Sequence, residues 1–357
     1  MKRYVFTWLL CYFSLSKGFS KNSCSLEQNK AYCLDELKSE DLMLLHQILP
    51  NSIGELFISF QNMQLFQTCN FKNFTNLTVL SLTYNQMIDL PQNISTCLPS
   101  VKRLLLNNNK FKSISKESFT SYRNIEVLRL HRNELQKIPP KTFHTMERLQ
   151  ELWLNDNSFT KIESKSFYGL DKLQTLNLAN CELKEINDNI FSKLKSLRSL
   201  NLEYNDINFV GRHAFQNIKM QYIDLSSNNI SILYGETFCG STLTQLNLAN
   251  NPIDCSCEAL SALRFTLNVL GKCSSPVALK GSELNKTFRN IESCNSNTFC
   301  HVEVNHKYPW VVLWIAMATI CCFIVLTGIY CCSKKKILRR KQKFIVFANI
   351  NFDDFRN

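Results

Sequence analysis

The side chains best equipped for chemistry in this 357-residue chain are its 16 cysteines and 6 histidines. Their spacing decides what they can do. His46, His131, His144, His213, His301 and His306 are scattered along the chain. No Ser/His/Asp or Cys/His set and no glycine-rich phosphate loop accompanies them. The sequence therefore predicts no enzyme, no cofactor and no metal. The cysteines are more informative. Cys255-Ser-Cys257, followed by Cys273 and Cys294, could hold zinc or form two disulfides. In an oxidising compartment the disulfide reading wins.

A second group is spaced for recognition rather than reaction. Leu105, Arg129 and Trp153 follow one another at a constant interval of 24 residues. That interval belongs to a pattern copied nine times, with starts at Ile53, Leu77, Val101, Ile125, Leu149, Leu173, Leu197, Met220 and Leu243. Each copy is apolar at relative positions 1, 4, 6 and 11. Asn occupies position 9 in Asn85, Asn109, Asn133, Asn157, Asn205, Asn228 and Asn251; Cys181 and Gln61 take its place in two units. This unit, L-x-x-L-x-L-x-x-N-x-L, is the leucine-rich repeat signature. It predicts an α/β solenoid whose short strands stack into a curved parallel sheet on the concave face, with rungs about 4.8 Å apart. The leucines point inward, and the position-9 side chains form a buried ladder satisfying turn backbone. Phe119, Phe143, Phe167, Phe191, Phe215 and Phe238 recur on the return path and predict an internal stack.

Positions 2, 3, 5, 7 and 8 of each unit are predicted to be exposed on the concave face. Position 3 supplies Arg103 and Glu151, and position 5 supplies Leu105, Arg129 and Trp153. Positions 7 and 8 supply His131, Arg132, Asp156, Glu203 and Tyr204. Exposed Trp, Tyr and Arg are the types that dominate interface energies. These ten residues are the candidate ligand-binding surface. The bland alternative is a tolerated surface Trp153 stacked on Arg129 one rung away.

Compartment follows from the ends. Lys2 and Arg3 precede an apolar run to Leu15, and Gly18 and Ser20 suit cleavage, so residues 1–20 read as a secretory signal. Pro309–Cys332 carries no charge and is long enough to span a bilayer as one transmembrane helix. Lys334-Lys335-Lys336 and Arg339-Arg340-Lys341 follow at once, which orients the chain as a single-pass type I plasma-membrane protein. Of the net charge of +12, the tail from Ser333 carries +6 and the signal +3. The basic balance thus reflects topology and inner-leaflet lipid, and nucleic acid is not an expected partner. Sequons at Asn73, Asn76, Asn93, Asn229 and Asn285 all fall between the signal and the spanning segment.

The resulting organisation is a signal at 1–20, an N-terminal cap at 21–52, nine repeats at 53–253, a cysteine-rich cap at 254–295, a stalk at 296–308, the spanning helix at 309–332 and a basic tail at 333–357. Asn251-Pro-Ile-Asp-Cys255-Ser-Cys257, then Cys273-Ser-Ser-Pro276, Leu279, Gly281, Leu284 and Cys294, resemble the C-terminal flank of extracellular leucine-rich repeat proteins. That resemblance implies the pairs Cys255–Cys273 and Cys257–Cys294. The reduced N-terminal cap, with Cys24 and Cys33 alone before the repeats, resembles the start of Toll-like receptor ectodomains. A Cys69–Cys97 bridge fits neighbouring return paths. Cys300 either reaches Cys239 or links two copies, or a partner, beside the membrane, giving a homo- or heterodimer. The short tail has no room for the cytoplasmic adaptor-binding domain of Toll-like receptors. The resemblance implies an innate-immune receptor or co-receptor for a protein or microbial ligand. Gamma-type potassium-channel subunits and adhesion molecules share the plan and are the rivals.

Overall fold

The computed structural model describes residues 24–34, 49–59, 74–89 and 100–289, apart from 116, 121 and 164. All lie in the unit Met1–Cys300, which is separate from His301–Asn357. The expected signal, spanning segment and basic tail fall outside the described residues, as do Cys69, Cys97, Cys294, Cys300, Asn73 and Asn93. Among the described residues no helix is long and apolar enough to cross a membrane.

The strands form where the L-x-L alternation places them. In chain order they are β1 (Ser25–Glu27), β2 (Lys30–Cys33), β3 (Glu55–Ile58), β4 (Val79–Ser81), β5 (Arg103–Leu105), β6 (Val127–Arg129), β7 (Glu151–Trp153), β8 (Thr175–Asn177), β9 (Glu185–Ile186), β10 (Ser199–Asn201), β11 (Phe209–Val210), β12 (Tyr222–Asp224), β13 (Leu243–Asn247) and β14 (Thr266–Leu270). Twelve make one sheet in the order β1-β2-β3-β4-β5-β6-β7-β8-β10-β12-β13-β14, while β9 and β11 pair separately on the return path. The β1–β2 pairing is antiparallel. From β2 onward every rung is parallel. The register locks position 4 of each unit onto position 4 of the next: Leu80 faces Leu104, Leu104 faces Leu128 and Leu128 faces Leu152. These leucines are buried, while the residues flanking them share the outer face. Truncating one, such as Leu152→Ala, costs about 2–5 kcal/mol because the close-packed stack cannot collapse around the hole.

The position-9 ladder is built as expected. Asn205 Oδ1 accepts from the Cys181 and Leu183 amides, and its Nδ2 donates to the Leu178 and Leu202 carbonyls at 2.9 Å each. Asn109 repeats the scheme with Asn85, Met87, Leu82 and Leu106. Cys181 occupies its rung as a buried thiol that donates to the Leu154 carbonyl at 3.3 Å. Burial pushes that thiol up to about 12, so it stays protonated and inert. The six phenylalanines of the return path are buried. Their rings lie 5.3–6.1 Å apart in the resolved pairs Phe119–Phe143, Phe167–Phe191, Phe191–Phe215 and Phe215–Phe238.

One regularity is invisible in the residue types. Position 8 is left-handed in Tyr84, Asn108, Arg132, Asp156, Asn180, Tyr204, Ser227 and Asn250, with φ between 50° and 59°. Asn and Asp tolerate this region, but Tyr and Arg do not choose it. The tertiary structure imposes it. The position-8 amide donates to the position-7 carbonyl of the next rung, as in Arg132 to Asn155 (3.0 Å), Asp156 to Ala179 (3.0 Å) and Tyr204 to Ser226 (3.1 Å).

Both ends are closed by cystines. Cys24–Cys33 clamps the β1–β2 hairpin. Cys255–Cys273 fixes the C-terminal cap as the family resemblance implied. Cys257 and Cys239 are disulfide-bonded as well. A short helix, Cys257–Ala262, starts at Ser256, whose hydroxyl accepts from the Ala259 amide. β14 then adds a final rung beyond the nine units, paired with β13.

Candidate functional site

The outer face of β5, β6 and β7 carries most of the residues that the spacing singled out. Register sets Leu105 opposite Arg129, and Arg129 opposite Trp153. The Arg129 guanidinium lies over the Trp153 ring, 5.4 Å from its centroid. Within β7 the indole Nε1 of Trp153 donates to Glu151 Oε2 at 3.2 Å. These side chains are half-buried and not exposed, which corrects the sequence reading of a fully exposed Trp153, Arg129 and Leu105. The reason is rung spacing: strands this close let large neighbours shield each other. Arg103 and Arg132 do stand exposed.

His131 and Asn155 sit at position 7 of adjacent units, beside that stack. Arg129 Nε, His131 Nδ1 and Asn155 Oδ1 are all shut from solvent with no hydrogen-bond partner among the described residues. Each such group costs about 1–3 kcal/mol. Burial, and then the charges of Arg129 and Arg132, lower the His131 pKa from its ordinary value, with Asp156 opposing. The carboxylates nearby are already engaged. Asp156 accepts from Asn155 at 2.7 Å and from Asn180 at 2.8 Å, and its Oδ2 lies 3.6 Å from Arg132 Nε. Glu126 pairs with Lys102 at 3.1 Å. Arg129 has no ion pair with a described carboxylate.

Glu203 and Tyr204 do not join this group. They follow β10, and β8 with Asn177, Ala179 and Asn180 lies between. Glu203 is held locally by Asn201 Nδ2 at 3.1 Å, and Tyr204 is 64% exposed.

The sequence profile of the BspA-type leucine-rich repeat region matches in six copies over residues 52–168 and 112–244, together more than half of the chain. The chain belongs to the leucine-rich repeat family. Among curated proteins, this leucine-rich repeat chain is 43% identical over 60 residues to the BDNF/NT-3 growth factors receptor of Gallus gallus, covering 16% of this chain and 7% of that receptor. It therefore spans a small part of that receptor's length. Among solved structures, it is similar to a chain of a TLR13–ssRNA13 complex, with TM-score 0.48 and 23% identity, covering 61% of this chain and 35% of that one. It is also similar to a chain of an octameric complex of Latrophilin 3, Unc5D and FLRT2, with TM-score 0.46 and 20% identity, covering 76% of this chain and 99% of that one.

Sequence reasoning about this leucine-rich repeat face missed a second feature. From β8 onward, position 5 reads Asn177, Asn201, Asp224 and Asn247. Each side-chain oxygen accepts from the backbone amide two residues later, at 2.9–3.1 Å. Asp224 also accepts from the Ser226 hydroxyl, from Asn247 Nδ2 at 3.1 Å and from the Tyr222 hydroxyl. Burial and then the Asp224 hydrogen bond push the Tyr222 hydroxyl up to about 12. Burial alone would raise the Asp224 carboxyl, but the bonds from Ser226, Tyr222 and Asn247 outweigh it and hold the group below its ordinary value. The signal was legible: short polar residues recur at one repeat position, and Asn and Asp bond their own backbone two residues on.

Of the sequons, Asn76 and Asn229 are exposed, whereas Asn285 is half-buried inside the helix Leu284–Arg289.

Proposed function

We propose that this chain is a cell-surface leucine-rich repeat receptor or co-receptor, without enzymatic activity, that binds a protein ligand on the outer face of β5–β7. The observation that carries this reading is the Arg129–Trp153 stack, where Arg129 Nε and the neighbouring His131 Nδ1 and Asn155 Oδ1 are buried without partners among the described residues. A surface that leaves such groups unpaired gives up stability, and binding sites are where proteins do so. Support for the location comes from the sequence. Pro309–Cys332 is uncharged, the run from Lys334 is basic, and the sequons precede both. On this reading the tail meets anionic inner-leaflet lipid, and sugars sit on the exposed Asn76 and Asn229. The cystine-closed caps fit an oxidising exterior. An innate-immune role with a microbial or host ligand follows from the cap resemblance.

Proximity labelling on cells tests the proposal with three forms of the full chain: wild type, Trp153→Ala, and a chimera with 309–357 replaced by an unrelated anchor. A partner labelled by wild type and chimera, but lost in Trp153→Ala, is the expected result. Labelling that follows the replaced segment and ignores Trp153→Ala overturns it and points to a role in the membrane, as for a channel subunit.

A further inference from the structure

Charge bookkeeping on β5–β7 specifies the partner further. We infer that this face receives an acidic segment of a partner protein, whose Asp or Glu carboxylate meets the Arg129 guanidinium while an apolar neighbour packs on Leu105 and Trp153. The inference rests on the receptor reading above.

Every described acid near the stack has its partner: Glu126 has Lys102, Glu151 has the Trp153 indole, and Asp156 has Arg132, Asn155 and Asn180. The surplus is cationic. Arg129 lies over the Trp153 ring and has no ion pair among the described residues; its Nε is shut from solvent, which leaves the terminal Nη donors for an acceptor. A guanidinium placed over a ring keeps its terminal fork, which matches a carboxylate in two parallel hydrogen bonds. Stacking also restrains the side chain before binding, so less rotamer entropy remains to be lost. A polyanion fits less well. Glu126, Glu151 and Asp156 lie in the same unit as the arginine or the next one and would repel successive phosphates, whereas a single carboxylate is accommodated. Leu105, half-buried on the neighbouring rung, supplies the apolar floor beside the charge.

The test is panning of a phage-displayed linear peptide library on the detergent-solubilised full chain, with Arg129→Met as counter-target. The proposal expects enriched peptides that share an Asp or Glu next to an aromatic or branched aliphatic residue. Their affinity for Arg129→Met should fall by on the order of thirtyfold, the scale of an interface hot spot. Replacing the shared acid by its amide should reproduce the loss on wild type. Enriched peptides without an acid, equal binding to Arg129→Met, or no enrichment at all overturns the proposal. So does retention of poly-uridylate RNA that competes with the peptides. If the labelled partner still depends on Trp153 while the peptides lack an acid, the carboxylate inference fails and the receptor reading stands.

Discussion

The outer face of one continuous sheet is used in two opposite ways. From β8 to β13, position 5 carries Asn177, Asn201, Asp224 and Asn247, and each spends its hydrogen-bonding capacity on its own backbone or a neighbour. From β5 to β7 the same position carries Leu105, Arg129 and Trp153, and polar atoms of Arg129, His131 and Asn155 are unpaired among the described residues. The backbone is the same in both halves, since register and buried leucines run through without a break. A repeat scaffold thus separates stability from recognition. The inward positions hold the fold, and the outward ones are free to be either satisfied or reserved.

The largest effect that would break this contrast lies in the satisfied half. Asp224→Ala should cost about 3 kcal/mol, since Ser226, Tyr222 and Asn247 lose their acceptor together. Urea denaturation followed by circular dichroism measures it, and peptide binding at β5–β7 should be unchanged. The same carboxylate sets an acid limit. Its folded pKa lies below the unfolded value of about 3.9, so its contribution is present above that pH and is lost as pH falls through the folded pKa. Wild type should therefore lose more stability than Asp224→Asn below about pH 4.

The next test is in the reserved half and has the opposite sign for stability. Arg129→Met should abolish most ligand binding yet leave stability equal or raise it by about 1 kcal/mol, because a buried unpaired donor is removed and its stem volume kept. A clear loss of stability would show that the stack is structural, and the two halves would then not differ in kind.

A smaller effect concerns pH. His131 faces Arg129 and Arg132 from its own unit and Asp156 from the next, and burial with the two arginines lowers its pKa. A bound carboxylate offsets those arginines and raises the His131 pKa, so binding draws a proton onto the imidazole. Binding of an acidic peptide should strengthen a few-fold as pH falls from about 7 to 5.5, around the ordinary histidine value. Asn in place of His131 should flatten the profile in a titration by fluorescence anisotropy.

The smallest effect probes the boundary itself. Cys181 interrupts the asparagine ladder beneath β8, where the two halves meet. Cys181→Asn should replace the weak sulfur acceptor that faces the Asn157 amide with an amide oxygen and stabilise by about 0.5–1 kcal/mol, a typical net hydrogen bond, in thermal melts.

Inward-facing chemistry was legible in the sequence because it repeats. Ile53 through Leu243 mark every unit, Asn109 and Asn205 mark the ladder, and Phe191 and Phe215 mark the stack; each is dictated by a neighbour identical to itself. The need for caps was legible because an open stack must be closed, but the Cys255–Cys273 pairing came only from the resemblance to extracellular leucine-rich repeat flanks. The outward face was only half legible. Spacing placed Arg129 and Trp153 on adjacent rungs, but it could not tell that they shield each other. Nor could it show that His131 Nδ1 and Asn155 Oδ1 lack hydrogen-bond partners among the described residues. The left-handed backbone at Arg132 and Tyr204 was not legible at all, because a hydrogen bond to the next rung, and not the residue's own preference, selects it. The sequence by itself determined period, register and what is buried, since these are set by local pattern repeated in one dimension. Only the tertiary structure decided which polar atoms are satisfied, because that depends on side chains 24 residues apart meeting across a rung.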